Sequence, residues 1–409
     1  MRTEIVTELE KLLQTRGTDI SRWFERAFAQ HPAPFYSSVD IRHSGFKIVP
    51  VDTNLFPAGF NNLSPAARER ASISFKRRLQ SEFPFAKKLL ILAENHTRNK
   101  GYLENLAVLS QLLSQAGAEV IIGRAEGDAP LLLETSSGQS LTEYPLTRRA
   151  GALITTDGFQ PDLIIINNDM SAGVPEILEN ISQPLIPSPH IGWHRRRKSR
   201  HFALYGKTVQ QFAQDFGFDC WKIWTAFEQR ENLDFKTRQG MDEIGEAVES
   251  VLHSIARKYE AYGIEEEPYV YVKADAGTYG MGITTVRGPE EIAEMNKKLR
   301  NKMQVIKEGA KNSRVIIQEG VPTADNVKGA PAEPMIYLVD GQPVGGAFRV
   351  NPERDIYRNL NAKGMYFTGM CDQAEDGTLG QVAVARCNYK VYGLIARLAS
   401  LAAAQEANE

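Results

Sequence analysis

Apolar residues recur at helical spacing near the start of the chain, with Ile5, Leu9, Leu12 and Leu13 on one face. A second helix is predicted over residues 23–28, and the Pro-rich run at 31–34 ends that unit. Residues 46–51 read as a short apolar strand, followed by a Pro/Gly/Asn-rich loop over 54–62. From Lys88 the rhythm changes. Residues 89–92 have the character of a buried strand, 102–116 of an amphipathic helix closed by Gly117, and 118–122 and 162–168 of further strands. Alternation of this length predicts a parallel sheet with helices on its faces, and the turn-rich stretch 130–147 a hairpin excursion from it.

The second half continues as mixed α/β. A long helix is predicted over 242–262, with Ile244, Val248, Val251, Ile255 and Tyr259 as its buried stripe. Strands follow at 269–273, 314–318 and 335–339, with a helix over 289–301 between the first two. An alanine-rich helix spans 389–405.

The chemistry concentrates where strand 269–273 delivers Lys273 to a glycine-rich loop carrying Gly277, Gly280 and Gly282. Glycines there let backbone N–H groups converge on an anion without Cβ obstruction, and the lysine adds a point charge beneath them. The loop is neither a Walker loop nor a dinucleotide fingerprint, because it exits into a strand where those motifs enter a helix. A hairpin using glycines only for turn geometry is the alternative. The order strand, glycine loop, helix, strand ending in Gln318-Glu319 resembles the nucleotide domain of ATP-grasp enzymes. That resemblance implies that the 318–321 hinge and Glu319 meet adenine and ribose. Residues 358–364, with Asn361 and Lys363, resemble that group's loop beside the transferred phosphate.

ATP-grasp ligases commonly carry an E-x-N magnesium pair after that loop, and none follows it here. Asp52 and Asn54, two residues apart at a strand end, present hard oxygen donors to one side and suit magnesium; turn chemistry before Pro57 is the alternative. Their segment resembles that of eukaryotic-type glutathione synthetases, circularly permuted ATP-grasp enzymes. The likeness implies a third ligand from the glycine loop, for which Asp275 is the candidate, and a phosphate-binding lysine at a helix start, for which Lys198 is the candidate. Lys198 lies in the basic run 195–200, where Arg195 is the candidate for an acidic substrate group and a solvated basic face the alternative. Polar residues at strand ends, Asn168 among them, and Arg98 on the helix after the first strand, form a candidate ledge for amino-acid recognition, though such residues also cap helices.

Bulk composition narrows the classes. A net charge of −2 over 409 residues supplies no field for nucleic acid, and the three cysteines form no C-x-x-C pair. No signal peptide or membrane-length apolar run is visible, so a soluble, cytoplasmic protein without nucleic-acid or membrane partners is expected. Homo-oligomerisation is left open.

Residues 35–40, 50–63, 190–193 and 272–282 together resemble the proteobacterial glutamate–cysteine ligase family. The resemblance implies ATP and Mg2+ as cofactors and L-glutamate and L-cysteine as substrates. It further implies a γ-glutamyl phosphate intermediate, stabilised by Arg349, in the first step of glutathione synthesis. The expected architecture is a permuted ATP-grasp-like nucleotide region with a Rossmann-like substrate domain. The expected parts are 1–84 (helices and metal-site strand), 85–195 (parallel substrate domain) and 196–409 (nucleotide region). Another carboxylate–amine ligase such as glutathione synthetase, or a nucleotide-binding regulator without chemistry, are the alternatives.

Overall fold

A computed structural model describes residues 3–94, 99–277, 282–304, 312–370 and 388–407. The chain is mixed α/β, built on three sheets. The expected parallel sheet is present: Lys88–Ala93 lies between Glu119–Arg124 and Leu163–Asn167, parallel to both. The excursion after Arg124 is a hairpin of Leu131–Glu134 and Ser140–Arg149, whose second strand rejoins the sheet parallel to Glu119–Arg124. The helix Lys100–Gln115 buries Leu103, Leu106, Leu109 and Leu113 against this sheet.

The second sheet is four-stranded and antiparallel. Arg314–Glu319 pairs with both Phe227–Glu231 and Val270–Ala274, and Ile283–Val286 pairs with Val270–Ala274 at the edge. The helix Met241–Tyr262 covers it through Ile244, Val248, Val251, Ile255 and Tyr259, the stripe read from the sequence.

The third sheet joins the two ends of the chain. Its order is Tyr366–Gly369, Gln342–Val350, Ala330–Val339, Tyr36–His43, Ile48–Asn54, all antiparallel. Its apolar face packs on the helix Tyr389–Ala407, against which the helix Glu4–Gln30 packs in turn. Among the described residues no helix is long and apolar enough to cross a membrane.

Three expectations from the pattern needed correction, and one strand was missed. The first thirty residues form one helix, Glu4–Gln30, because Ile20 and Phe24 continue the stripe of Ile5 and Leu9 across Gly17. The 289–301 helix is two pieces, Glu290–Ala293 and Lys297–Gln304; Asn296 restarts it, its Oδ1 accepting from Leu299 N at 2.9 Å. The predicted strand 46–51 lies further on, at Ile48–Asn54, and Phe46 instead stacks on Trp221. The strand Tyr36–His43 had no counterpart in the pattern. Only Val39 and Ile41 are apolar between Ser38, Asp40 and Arg42, and Ser37, Ser38, Arg42 and His43 are polar yet buried, so the alternation is short and reads as mostly polar.

Candidate functional site

The site grows from the register of the third sheet. Asp40 pairs with Asp52 on one side and Met335 on the other, and Glu333 pairs with Arg349. Side chains two apart share a face, so Asp52, Asp40, Glu333 and Arg349 collect on one face of the sheet. Between Asp40 and Ile41 the pairing slips by one residue, leaving Val51 as a β-bulge. The Val51 carbonyl accepts a 2.9 Å hydrogen bond from Lys273 Nζ, reaching across from the second sheet.

A cavity of about 80 Å³ lies between these sheets. Lys198, Lys273, Gly277, Asp52, Arg349 and Asn361 line it. A second cavity, of about 310 Å³, opens toward the C-terminal edge of the parallel sheet, where Glu94, Tyr102 and Asp169 stand. The two share Asp40, Asp52, Arg349 and Asn361. A ligand in one therefore meets a ligand in the other at those four residues.

Charge is dense here. Lys198 opens the helix Lys198–Phe216; its Nζ is 2.5 Å from Asp52 Oδ1 and 4.3 Å from the Trp193 ring centre. Burial pushes the Asp52 carboxyl up, but Lys198, Lys273 and Arg196 outweigh it and hold the group below the usual carboxylate range. For Lys273 burial dominates, Lys198 adds repulsion, and the ammonium is pushed down to about 7. Arg349 donates to Asp40 at 2.8 Å and to Glu333, while Arg42 Nε donates to Glu333 at 2.8 Å. Burial raises the Asp40 carboxyl even beside Arg349. Glu333 is held low because its two arginines outweigh its burial. Arg349 Nε is a buried donor without a partner, so the guanidinium retains a hydrogen bond to give.

Asp52 and Asn54 line the same cavity, and each carries a hard oxygen donor. Asp52 is 32% exposed there, and Asn54 Oδ1 takes one bond, from Phe56 N at 2.9 Å. No cluster of three metal-ligating His, Cys, Asp or Glu occurs among the described residues. Two hard oxygen donors beside a phosphate-sized cavity nevertheless fit magnesium, which keeps water and substrate oxygens as its other ligands.

Other candidates from the sequence lie elsewhere. Both Asp275 carboxylate oxygens are taken by Ser199, from its N–H at 2.7 Å and its hydroxyl at 2.8 Å, so Asp275 anchors the start of the Lys198 helix. Glu319 is buried on Lys47 Nζ at 2.5 Å and on Ala226 N at 2.9 Å. Gln318 is buried too, bonding Thr225. Arg195 is exposed beside His190, and its neighbour Arg196 turns inward instead. Asn168 closes a local turn by accepting from Met170 N. The Lys363 side chain is exposed, outside both cavities. Gly282 sits at the root of the loop, its carbonyl accepting from Ala274 N at 3.1 Å. Arg98 and Gly280 lie outside the described residues. Asp40, Arg42 and Glu333 are wall residues that had not been singled out; the polar alternation Ser38, Asp40, Arg42 was their visible signal.

The glutamate-cysteine ligase family model matches residues 10–407. A crystal structure from Methylobacillus flagellatus KT, provisionally described as a gamma-glutamylcysteine synthetase, is 43% identical. It superposes with a TM-score of 0.89 over 99% of this chain and 96% of its own. D-alanyl-alanine synthetase A from Vibrio cholerae O1 biovar eltor is 12% identical at a TM-score of 0.33, over 71% and 76% of the two chains. At that score the likeness carries no argument. No curated protein matches.

Proposed function

The chain belongs to the glutamate–cysteine ligase family, and we propose that it joins the γ-carboxyl of L-glutamate to the amine of L-cysteine, driven by ATP. The observation that carries this reading is the shared wall. A phosphate-type cavity with Lys198, Lys273 and Gly277 meets a second, larger cavity at Asp40, Asp52, Arg349 and Asn361. In this reading the second and third sheets are the halves of an ATP-grasp-like clasp. It is read as permuted, which the pairing of Tyr36–His43 and Ile48–Asn54 with strands from the far end of the chain supports.

Lys198 and Lys273 neutralise charge on the ATP phosphates, where fixed charges in a partly dry site act strongly. The γ-carboxylate of glutamate attacks the terminal phosphorus in line, ADP leaves, and γ-glutamyl phosphate results. The cysteine amine then attacks the acyl carbon; the C–N bond forms, the C–O bond breaks and phosphate departs. Arg349, with its unpartnered Nε, is placed to bind the oxygens that carry charge in both steps. Asp52 and Asn54 would hold magnesium, which would supply further charge neutralisation for phosphoryl transfer. This reaction is the first step of glutathione synthesis.

The test is ADP and phosphate release with glutamate, with and without cysteine. Release that requires both supports the reading. Release with γ-glutamylcysteine and glycine instead would identify a glutathione synthetase, and ATP binding without turnover on any amine a regulator.

A further inference from the structure

Arg196 does not belong to either cavity wall, yet it is almost wholly buried and uses its whole guanidinium. Its Nε donates to both carboxylate oxygens of Glu406, at 3.1 and 3.0 Å. One Nη donates to the Thr53 carbonyl, and the other lies 3.3 Å from His201 Nδ1. The guanidinium carbon is 4.9 Å from the Trp193 ring centre, and the same ring carries Lys198 Nζ at 4.3 Å. His201 Nδ1 is itself 3.4 Å from Glu406. Glu406 comes from the helix Tyr389–Ala407, and Arg196 from just before the helix Lys198–Phe216.

The bond to Thr53 matters because of what flanks it. Thr53 lies between Asp52 and Asn54 on Ile48–Asn54, an edge strand of its sheet, which among the described residues has no strand on its outer side. A strand end held by one ladder is free to move unless something grips the other side. Arg196 grips it there. An arginine fork can span two acceptors at fixed angles, which lysine cannot.

We infer that Glu406, acting through Arg196, is a positioning residue that holds the Asp52–Asn54 strand end where its oxygens meet the metal and phosphates. This rests on the proposed function for what the strand end binds, though not for the brace itself. Two effects follow from neutralising Glu406. The strand end loosens, and Arg196, left without its carboxylate, turns toward Asp52. That carboxylate neighbours the Thr53 carbonyl that Arg196 already holds and already feels the Arg196 charge. Arg196 would then compete with metal at Asp52.

The experiment compares the parent with Glu406→Gln and with Gln405→Ala. Gln405 docks the same helix on Thr208 at 3.0 Å without touching Arg196. Amide hydrogen exchange over residues 50–56 and the KM for Mg2+ are measured on all three. Glu406→Gln is expected to speed exchange at 52–54 and raise the KM for Mg2+ about tenfold, as loss of outer-sphere support does. Its kcat at saturating Mg2+ stays within about twofold, since excess metal recovers the displaced ligand. Gln405→Ala is expected to match the parent. Parent-like exchange and KM in Glu406→Gln, or equal changes in Gln405→Ala, would overturn the inference. Should Glu406→Gln not fold, Arg196→Lys decides by the same two readouts. A parent that exchanges normally but lacks ligase turnover would sink the proposed function alone, because the exchange comparison still judges the brace.

Discussion

Lys198 Nζ and Asp52 Oδ1 lie 2.5 Å apart, although 146 positions separate them in the chain. Lys198 begins a helix and Asp52 ends a strand of the sheet that joins the two ends of the chain. Their contact closes the floor of the cleft. It also explains why two lysines can stand together there: Asp52 draws both Lys198 and Lys273.

Asp52→Asn removes that common counter-charge together with the stronger of the two proposed metal donors. The kcat/KM for ATP is expected to fall by at least about a hundredfold, the usual cost of losing one preorganised electrostatic partner. Coupled-enzyme detection of ADP measures it. Lys273→Ala should fall comparably, and turnover within about threefold of the parent would remove Lys273 from the mechanism.

Lys273 also predicts a pH signature. Burial and Lys198 bring its ammonium down to about 7 from the ordinary 10.5. Phosphate binding favours the charged form, so ATP binding between pH 7 and 8 should take up a proton. Calorimetry in buffers of different ionisation enthalpy reads that uptake. The sign for stability is opposite to that of a salt-bridged lysine. From about 7 to 10.5 the unfolded chain holds a proton that the folded chain has released, so this group makes stability rise with pH across that window. Lys273→Met should flatten that rise in urea-unfolding curves.

Glu333 balances two buried arginines, Arg42 and Arg349. Glu333→Ala leaves both without it, and breaking a buried pair from one side costs about 3–5 kcal/mol. The urea midpoint should drop accordingly. A change under about 1 kcal/mol would mean that Asp40 alone can hold Arg349.

Gly320 has no room for a side chain. A Cβ there would lie 2.2 Å from the ring of buried Tyr269, and Gly320 N also bonds Tyr269 O at 2.7 Å. Gly320→Ala should destabilise by about 1–3 kcal/mol through overpacking. Gly138→Ala, where nothing approaches but φ is +82°, is the comparison that isolates backbone strain from collision.

Much of this was legible beforehand. Strand 269–273 with Lys273 at its end, the stripe of the Met241–Tyr262 helix and the parallel unit from Lys88 all followed from periodicity, because each buries an apolar face at a fixed repeat. Asp52 and Asn54 were singled out by residue type and spacing together with the family resemblance, and Lys198 by that resemblance, and all three line the two cavities. Glu319 and Asp275 show what residue type leaves open: a carboxylate beside a glycine loop or a hinge reads alike whether it faces a ligand or a buried partner. Only the fold showed Lys47 beneath Glu319 and Ser199 beneath Asp275.

By itself, then, the chain's sequence determined its local elements, its family and the residue types able to handle phosphate, since periodicity and side-chain chemistry act over a few positions. Tertiary structure alone decided which charges meet. The sheet that threads Tyr36–His43 between Ile48–Asn54 and Ala330–Val339 brings Asp40 beside Asp52 and Arg349. It also sets Arg196 between Thr53 and Glu406. Strand register across hundreds of residues is set by packing both faces at once, and no local spacing records it.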